Sequence, residues 1–321
     1  MAPVPPAVDP PPTEDPPSGL VSLDRSEDRL VWIFGSSRSG STWLLRMLGS
    51  LAGVVPVDDP HLGHHLGVWR PISLAWATAE HPPDLTTLDR VKHDKDSYFF
   101  SDRYRDAWQP ALRQLIVARF DAQVADTATV DEPLVVVKEP GSHVADQLLS
   151  LFPGSRFVFL LRDGRDVVDS WLAAYRSGSW ALDEGAFPVT ERGRESLVRW
   201  QSAVWAFRTE VVQRAYEAHP PDRRVLVRYE DLVADPGHEL ARICAYLPID
   251  VSAERLAGVA AEHAYEAVPA VEKGATKPIR SATPGGWRDN LTPDEHDVMH
   301  EVMGPKLAEL GYLDPVPVGL A

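Results

Sequence analysis

Apolar residues along the chain fall into two alternating kinds of run. Short unbroken runs rich in β-branched residues occur at Val31 to Phe34 and within "PLVVVK", "RFVFLLRD" and "RVLVRYED". No polar alternation interrupts the first three, the pattern of strands covered on both faces. Segments with apolar residues three and four apart follow them: "STWLLRML", "SHVADQLLSLF" and "GRDVVDSWLAAYR", with "ESLVRWQSAVWAFRTEVVQRAYEAH", "GHELARICAYL" and "SAERLAGVAAEH" further on. In "YRDAWQPALRQLIVARFDAQV" the residues Trp108, Leu112, Leu115, Ile116 and Phe120 share helical spacing, with Pro110 as a candidate first residue. A short strand is expected at Val54 to Val57. "LTPDEHDVMHEVMGPKLAELGY" opens a helix with Thr292 as N-cap, Pro293 first inside and Glu295 completing a capping box. Strands alternating with helices predict one α/β domain with a central parallel sheet and right-handed crossovers.

Composition narrows the setting. The chain has 321 residues, 47 acidic and 32 basic, for a net charge of −15. That balance argues against nucleic-acid or anionic-membrane binding, so an anion site must be a local basic pocket. The single cysteine, Cys244, allows no internal disulfide and reads as a core thiol. Eight of the first twenty residues are proline, so residues 1–28 read as a disordered or polyproline-like tail and 29–315 as the domain. No signal-peptide pattern is present and no apolar run approaches about 18 residues, which makes cytoplasm the expected location and a membrane span unexpected.

Four patches carry chemistry. In "VWIFGSSRSGSTWLLRML" a strand, a small-residue loop and a helix follow one another, the arrangement that aims backbone N–H groups at an anion. Gly35, Gly40 and Thr42 keep the spacing of a nucleotide-binding phosphate loop, but Ser41 stands where its lysine belongs. The predicted fold is therefore of the P-loop type: three layers around a parallel sheet of about four to five strands. The second patch, "LLRDGRDVVDSW", puts Arg162 at a strand end and Ser170 eight residues on. Alone, it also admits a surface ion-pair cluster of Arg162, Asp163, Arg165 and Asp166. The third, "KPIRSATPGGWRDN", concentrates Lys277, Arg280 and Arg288 around Gly285, Gly286 and Trp287, as a lid over an anion would. The fourth, "RYEDL", offers Tyr229.

In this order the patches resemble the sulfotransferases that use 3′-phosphoadenosine 5′-phosphosulfate (PAPS). "SSRSGSTWL" is similar to that family's 5′-phosphosulfate loop, "RDGRDVVDS" to its 3′-phosphate motif and "RSATPGGWRDNLT" to its C-terminal cofactor loop. The resemblance implies that Arg38, Ser39, Gly40, Ser41, Thr42, Trp43, Arg162, Ser170, Tyr229, Arg280, Gly286, Trp287 and Arg288 bind PAPS, with Arg38 in the cationic role. It implies no metal requirement, and sulfuryl transfer to a hydroxyl of a small-molecule, glycan or lipid acceptor, leaving adenosine 3′,5′-bisphosphate (PAP).

An acceptor hydroxyl must lose a proton, so a general base is expected. The family's histidine, two residues after a lysine, is here Pro140 after Lys138 and Glu139. Other branches use a carboxylate after the second strand, where Asp58 and Asp59 stand. Asp59 is the favoured base, with Glu139 and His143 as alternatives and Lys138 lining the transferring group. His61, His64 and His65 match no standard zinc spacing. Trp69, Trp76, Trp108 and Trp180 are candidates to line an acceptor pocket or to belong to the core. A P-loop metabolite kinase, and a PAPS- or PAP-binding module without turnover, remain as alternatives. A homodimer and a monomer both stay open.

Overall fold

The computed structural model describes residues 22–66, 79–80, 95–183, 186, 188–277, 279–280 and 282–313. Five parallel strands form one sheet: β1 (Leu30–Phe34), β2 (Val54–Asp58), β3 (Leu134–Lys138), β4 (Arg156–Leu161) and β5 (Arg224–Arg228), in the spatial order β2-β3-β1-β4-β5. The central strand β1 is buried at every position, as are β3 and nearly all of β4. That is why their sequences are continuous rather than alternating apolar runs. Successive residues point to opposite faces. Trp32, Phe34, Val135, Val137, Phe157 and Phe159 enter one core, while Val31, Ile33, Leu134, Val136, Val158 and Leu160 enter the other.

Helices cover both faces: α1 (Ser41–Gly49), α2 (Leu62–Leu66), α3 (Arg105–Thr127), α4 (Ala145–Leu151), α5 (Gly164–Ala174), α6 (Glu191–Ala218), α7 (Tyr229–Ala234), α8 (Pro236–Cys244), α9 (Ala253–Glu262) and α10 (Pro293–Glu309). Their starts are chemically specified. The Asp163 side chain caps α5 by accepting from the Arg165 N–H, and Thr292 with Glu295 forms the expected capping box on α10. Among the described residues no helix is long and apolar enough to cross a membrane.

Two boundaries differ from the sequence expectation. Helix α3 begins at Arg105, with Pro110 inside it. Pro110 is exposed, so water can serve the carbonyl that its missing N–H leaves unpaired. Residues 22–28, expected in the tail, also make contacts with the domain. Leu23 is buried, Ser22 and the Leu23 N–H donate to Asp121, and Glu27 accepts from Arg113 and from the Gly154 N–H. Trp69 and Trp76 lie outside the described residues.

Candidate active site

The C-terminal ends of β1, β3 and β4 converge where open parallel sheets hold ligands. After β1 the chain turns through Gly35, where a Cβ would come within 2.2 Å of the Leu160 carbonyl oxygen. Arg38 (φ 72°) and Gly40 (φ 91°) then adopt left-handed conformations before α1 begins at Ser41. Gly40 passes over Tyr229, and a Cβ there would meet the ring at 2.6 Å. Holding a non-glycine residue such as Arg38 left-handed costs on the order of 1–3 kcal/mol, a strain that clusters at ligand sites. Among the described residues, buried Ser39 Oγ and Arg162 Nε have no hydrogen-bond partner. Unpaired buried polar groups are expensive, and a hydroxyl and a guanidinium N–H at this loop suit an anion.

Arg38 reaches across the loop to the second motif. Its Nε donates to Ser170 Oγ at 3.0 Å, and its guanidinium lies 5.1 Å from the Trp180 ring centre. Arg162 Nη1 donates to the Arg38 carbonyl at 2.7 Å, and its guanidinium covers the Tyr229 ring at 4.2 Å. Trp43 meets Tyr229 edge-on, and its indole N–H donates to the His263 carbonyl at 2.8 Å. Arg38, Ser170, Trp180, Lys277 and Arg280 line one pocket. Arg280 pairs with fully buried Asp169, whose hydrogen bond raises the guanidinium pKa further, and Asn290 donates to the same carboxylate. The result is a cationic recess on an acidic protein.

The third motif is fastened to α5. The Asp166 carboxylate accepts from the Gly285 N–H at 2.7 Å and the Trp287 N–H at 3.3 Å. Trp287 packs between Arg165 and Arg288, at 4.2 and 4.6 Å, with its edge against His296. Its ring is buried in the core, and Gly286, Trp287 and Arg288 do not line the pocket around Ser170. Trp287 thus anchors the loop to α5.

From the neighbouring strand β3 an ammonium group reaches the start of α1. Lys138 Nζ donates to Thr42 Oγ1 at 2.7 Å and lies 2.8 Å from both Asp58 Oδ1 and Asp59 Oδ2. The β2–β3 register, with Asp58 beside Lys138, creates this cluster. Asp59 is held left-handed (φ 46°), and its Oδ1 has no hydrogen-bond partner among the described residues.

The alternative bases are placed differently. Glu139 is buried and accepts from three backbone N–H groups, of Leu62, Gly63 and Gly141, at 2.8, 3.2 and 2.6 Å. Burial raises its pKa while those bonds oppose the rise. The carboxylate is a clasp joining α2 to the β3 loop. His143 is buried with its ring 5.8 Å from that of His64. The His64 pKa is lowered to about 4 by partial burial, Arg208 and the neighbouring His61 and His65, so its imidazole is neutral at pH 7.

Sequence reasoning missed Asp166 and Asp169 as buried anchors, Ser37, and Arg208 beneath the loop. The period of α5 was the signal for the two aspartates, since Asp166, Asp169 and Ser170 share a face three and four residues apart. Nothing in the sequence paired Ser37 with Arg208, 171 positions away.

Mouse sulfotransferase SULT7A1, solved in complex with PAP, superposes with a TM-score of 0.54 at 14% identity, over 91% of this chain and 92% of that one. Sulfotransferase STF9 from Mycobacterium avium gives 0.50 at 16% identity, over 93% and 80%. At such identities the likeness is one of fold. In sequence, protein-tyrosine sulfotransferase 1 of Danio rerio is 27% identical over 173 residues, 52% of this chain and 44% of that protein. The chain therefore spans less than half the length of that relative. A family model described as "Sulfotransferase family" matches residues 31–253, from β1 into the first residue of α9. By that match over most of its length, the chain belongs to the sulfotransferase family.

Proposed function

We propose that this protein transfers a sulfuryl group from PAPS to a hydroxyl of a small-molecule, glycan or lipid acceptor, with Asp59 as general base. One observation carries the reading: a single ammonium, Lys138 Nζ, touches both the phosphate-type loop at Thr42 and the carboxylate of Asp59. The group that neutralises the donor and the group that deprotonates the acceptor are thereby held side by side. PAPS supplies an activated sulfuryl group when bound. Loop N–H groups, Ser39 and Thr42 would hold its 5′ end at the start of α1, and Arg38, Arg162 and Ser170 its 3′-phosphate. Arg280 and Lys277 add charge from the C-terminal side.

Transfer is an in-line displacement, analogous to phosphoryl transfer. The acceptor oxygen forms the new bond to sulfur, the bond from sulfur to the bridging oxygen breaks, and the acceptor proton passes to Asp59. Lys138 and the loop amides stabilise charge gathering on the departing 5′-phosphate by preorganised electrostatics. That phosphate is a weak base and leaves without a proton. The Danio rerio relative's name adds a protein tyrosine, a phenol, to the acceptor classes worth testing.

Thermal unfolding with PAP, against ATP with magnesium, tests the donor assignment. Native-state binding stabilises by about 2.7 kcal/mol at a hundredfold excess over Kd. Stabilisation by PAP alone, lost in Arg162→Ala, is expected. A response to ATP with magnesium, or to neither ligand, overturns the reading.

A further inference from the structure

Sulfuryl transfer as described does not use the buried cation Arg208. Arg208 lies on α6, which packs against α4, α5, β4 and the turn at Ser142–Val144. The side chain is almost fully enclosed, and burial lowers its pKa to about 10, leaving it charged at neutral pH. Enclosing a guanidinium costs several kcal/mol that an apolar side chain would not. Its Nη1 donates to Ser37 Oγ at 2.8 Å.

Ser37 begins the phosphate-type loop, one residue before Arg38, and is partly exposed. A hydroxyl has one proton and two lone pairs. With a lone pair committed to Arg208, the proton has to point elsewhere, and acceptance from a cation makes it a stronger donor. Position then matters. Helix α6, which carries Arg208, packs against the Ser142–Val144 turn that follows β3, where the His143 ring meets that of His64 on the segment after Asp59. The Ser37–Arg208 pair therefore sits on the Asp59 side of the loop, while Arg38 turns its side chain to Ser170 on the other.

We propose that Ser37, polarised by Arg208, donates a hydrogen bond to the sulfate oxygens of PAPS, a contact that PAP cannot make. Arg208 is the positioning residue of this pair and Ser37 its contact. The inference rests on the sulfuryl-transfer reading above.

Calorimetric titration of PAPS and PAP separately, without acceptor, tests it in the wild type, Ser37→Ala, Arg208→Lys and Arg208→Gln. Removing one charge-assisted donor should weaken PAPS roughly tenfold while leaving PAP affinity unchanged. Arg208→Gln should lose the same preference, and Arg208→Lys should keep part of it. An unchanged ratio of the two affinities in Ser37→Ala overturns the proposal. Equal weakening of both ligands does so too, by making the pair merely structural. Ser37→Ala, a small change at a partly exposed site, decides the question even if an Arg208 variant fails to fold. A wild type that binds neither ligand removes the sulfuryl-transfer reading itself, and this inference with it.

Discussion

Lys138 is the residue on which the proposed chemistry turns. Its ammonium is shared between one hydroxyl and two carboxylates, so the charge of Asp59 is compensated while Oδ1 stays without a partner among the described residues. Oδ1 is thus the oxygen of Asp59 with a lone pair left for an acceptor O–H. Replacing Asp59 by Asn keeps the shape and removes the basicity. Turnover with a panel of phenols and alcohols should fall by about 10²–10⁴-fold, with the PAP-induced thermal shift retained. Undiminished turnover would move the base to another group. This arrangement was only half legible in the sequence. Ser41 announced a missing cation and "VPVDDP" offered carboxylates, but their meeting depends on the register of β2 on β3, which no local pattern encodes. Glu139 stood on paper as an alternative to Asp59. Three backbone donors, two of them on α2, are what separate the two residues.

Helix α5 is the element that ties the motifs together. Its first residues present Asp163 to the helix's own N-terminus and to Arg165, Asp166 to the Gly285–Trp287 loop, Asp169 to Arg280 and Asn290, and Ser170 to Arg38. The fold around it was readable because strands buried on both faces have unbroken apolar sequences and because the α10 capping box is written in side chains. What the sequence of the basic loop "KPIRSATPGGWRDN" did not show is its fastening to α5, since charge in a loop does not reveal a buried carboxylate that accepts from its N–H groups. Asp166→Ala would strand the Gly285 and Trp287 donors, each worth about 1–3 kcal/mol when buried and unpaired. The expected outcome is a lower melting temperature together with weaker PAP binding, measured on the same samples. Lost stability with intact PAP affinity would show that the C-terminal loop serves only the core.

At the scale of the whole molecule, two apolar cores sandwich one sheet, and the buried polar groups make its stability depend on pH. His219 closes α6 against β4: it is buried, its ring N–H bonds the Ser155 carbonyl at 2.8 Å, and its pKa is lowered chiefly by burial. The folded state therefore holds a neutral ring, while the unfolded chain takes a proton below about 6.5. Stability contributed by that neutral ring is fully present above pH 6.5 and lost as pH falls toward the folded-state value. His64, at about 4, pulls in the same direction. Glu139 and Asp166 pull the other way, because raised carboxyl pKa values favour the folded state as acid protonates them. A single pH curve mixes these contributions, so the informative quantity is a difference. His219→Gln retains an N–H for the Ser155 carbonyl but has no proton to gain. The wild type's stability advantage over this variant, from denaturant unfolding between pH 7.5 and about 5, should shrink steadily below pH 6.5. A constant advantage would mean that the folded protein protonates His219 as readily as the unfolded chain does.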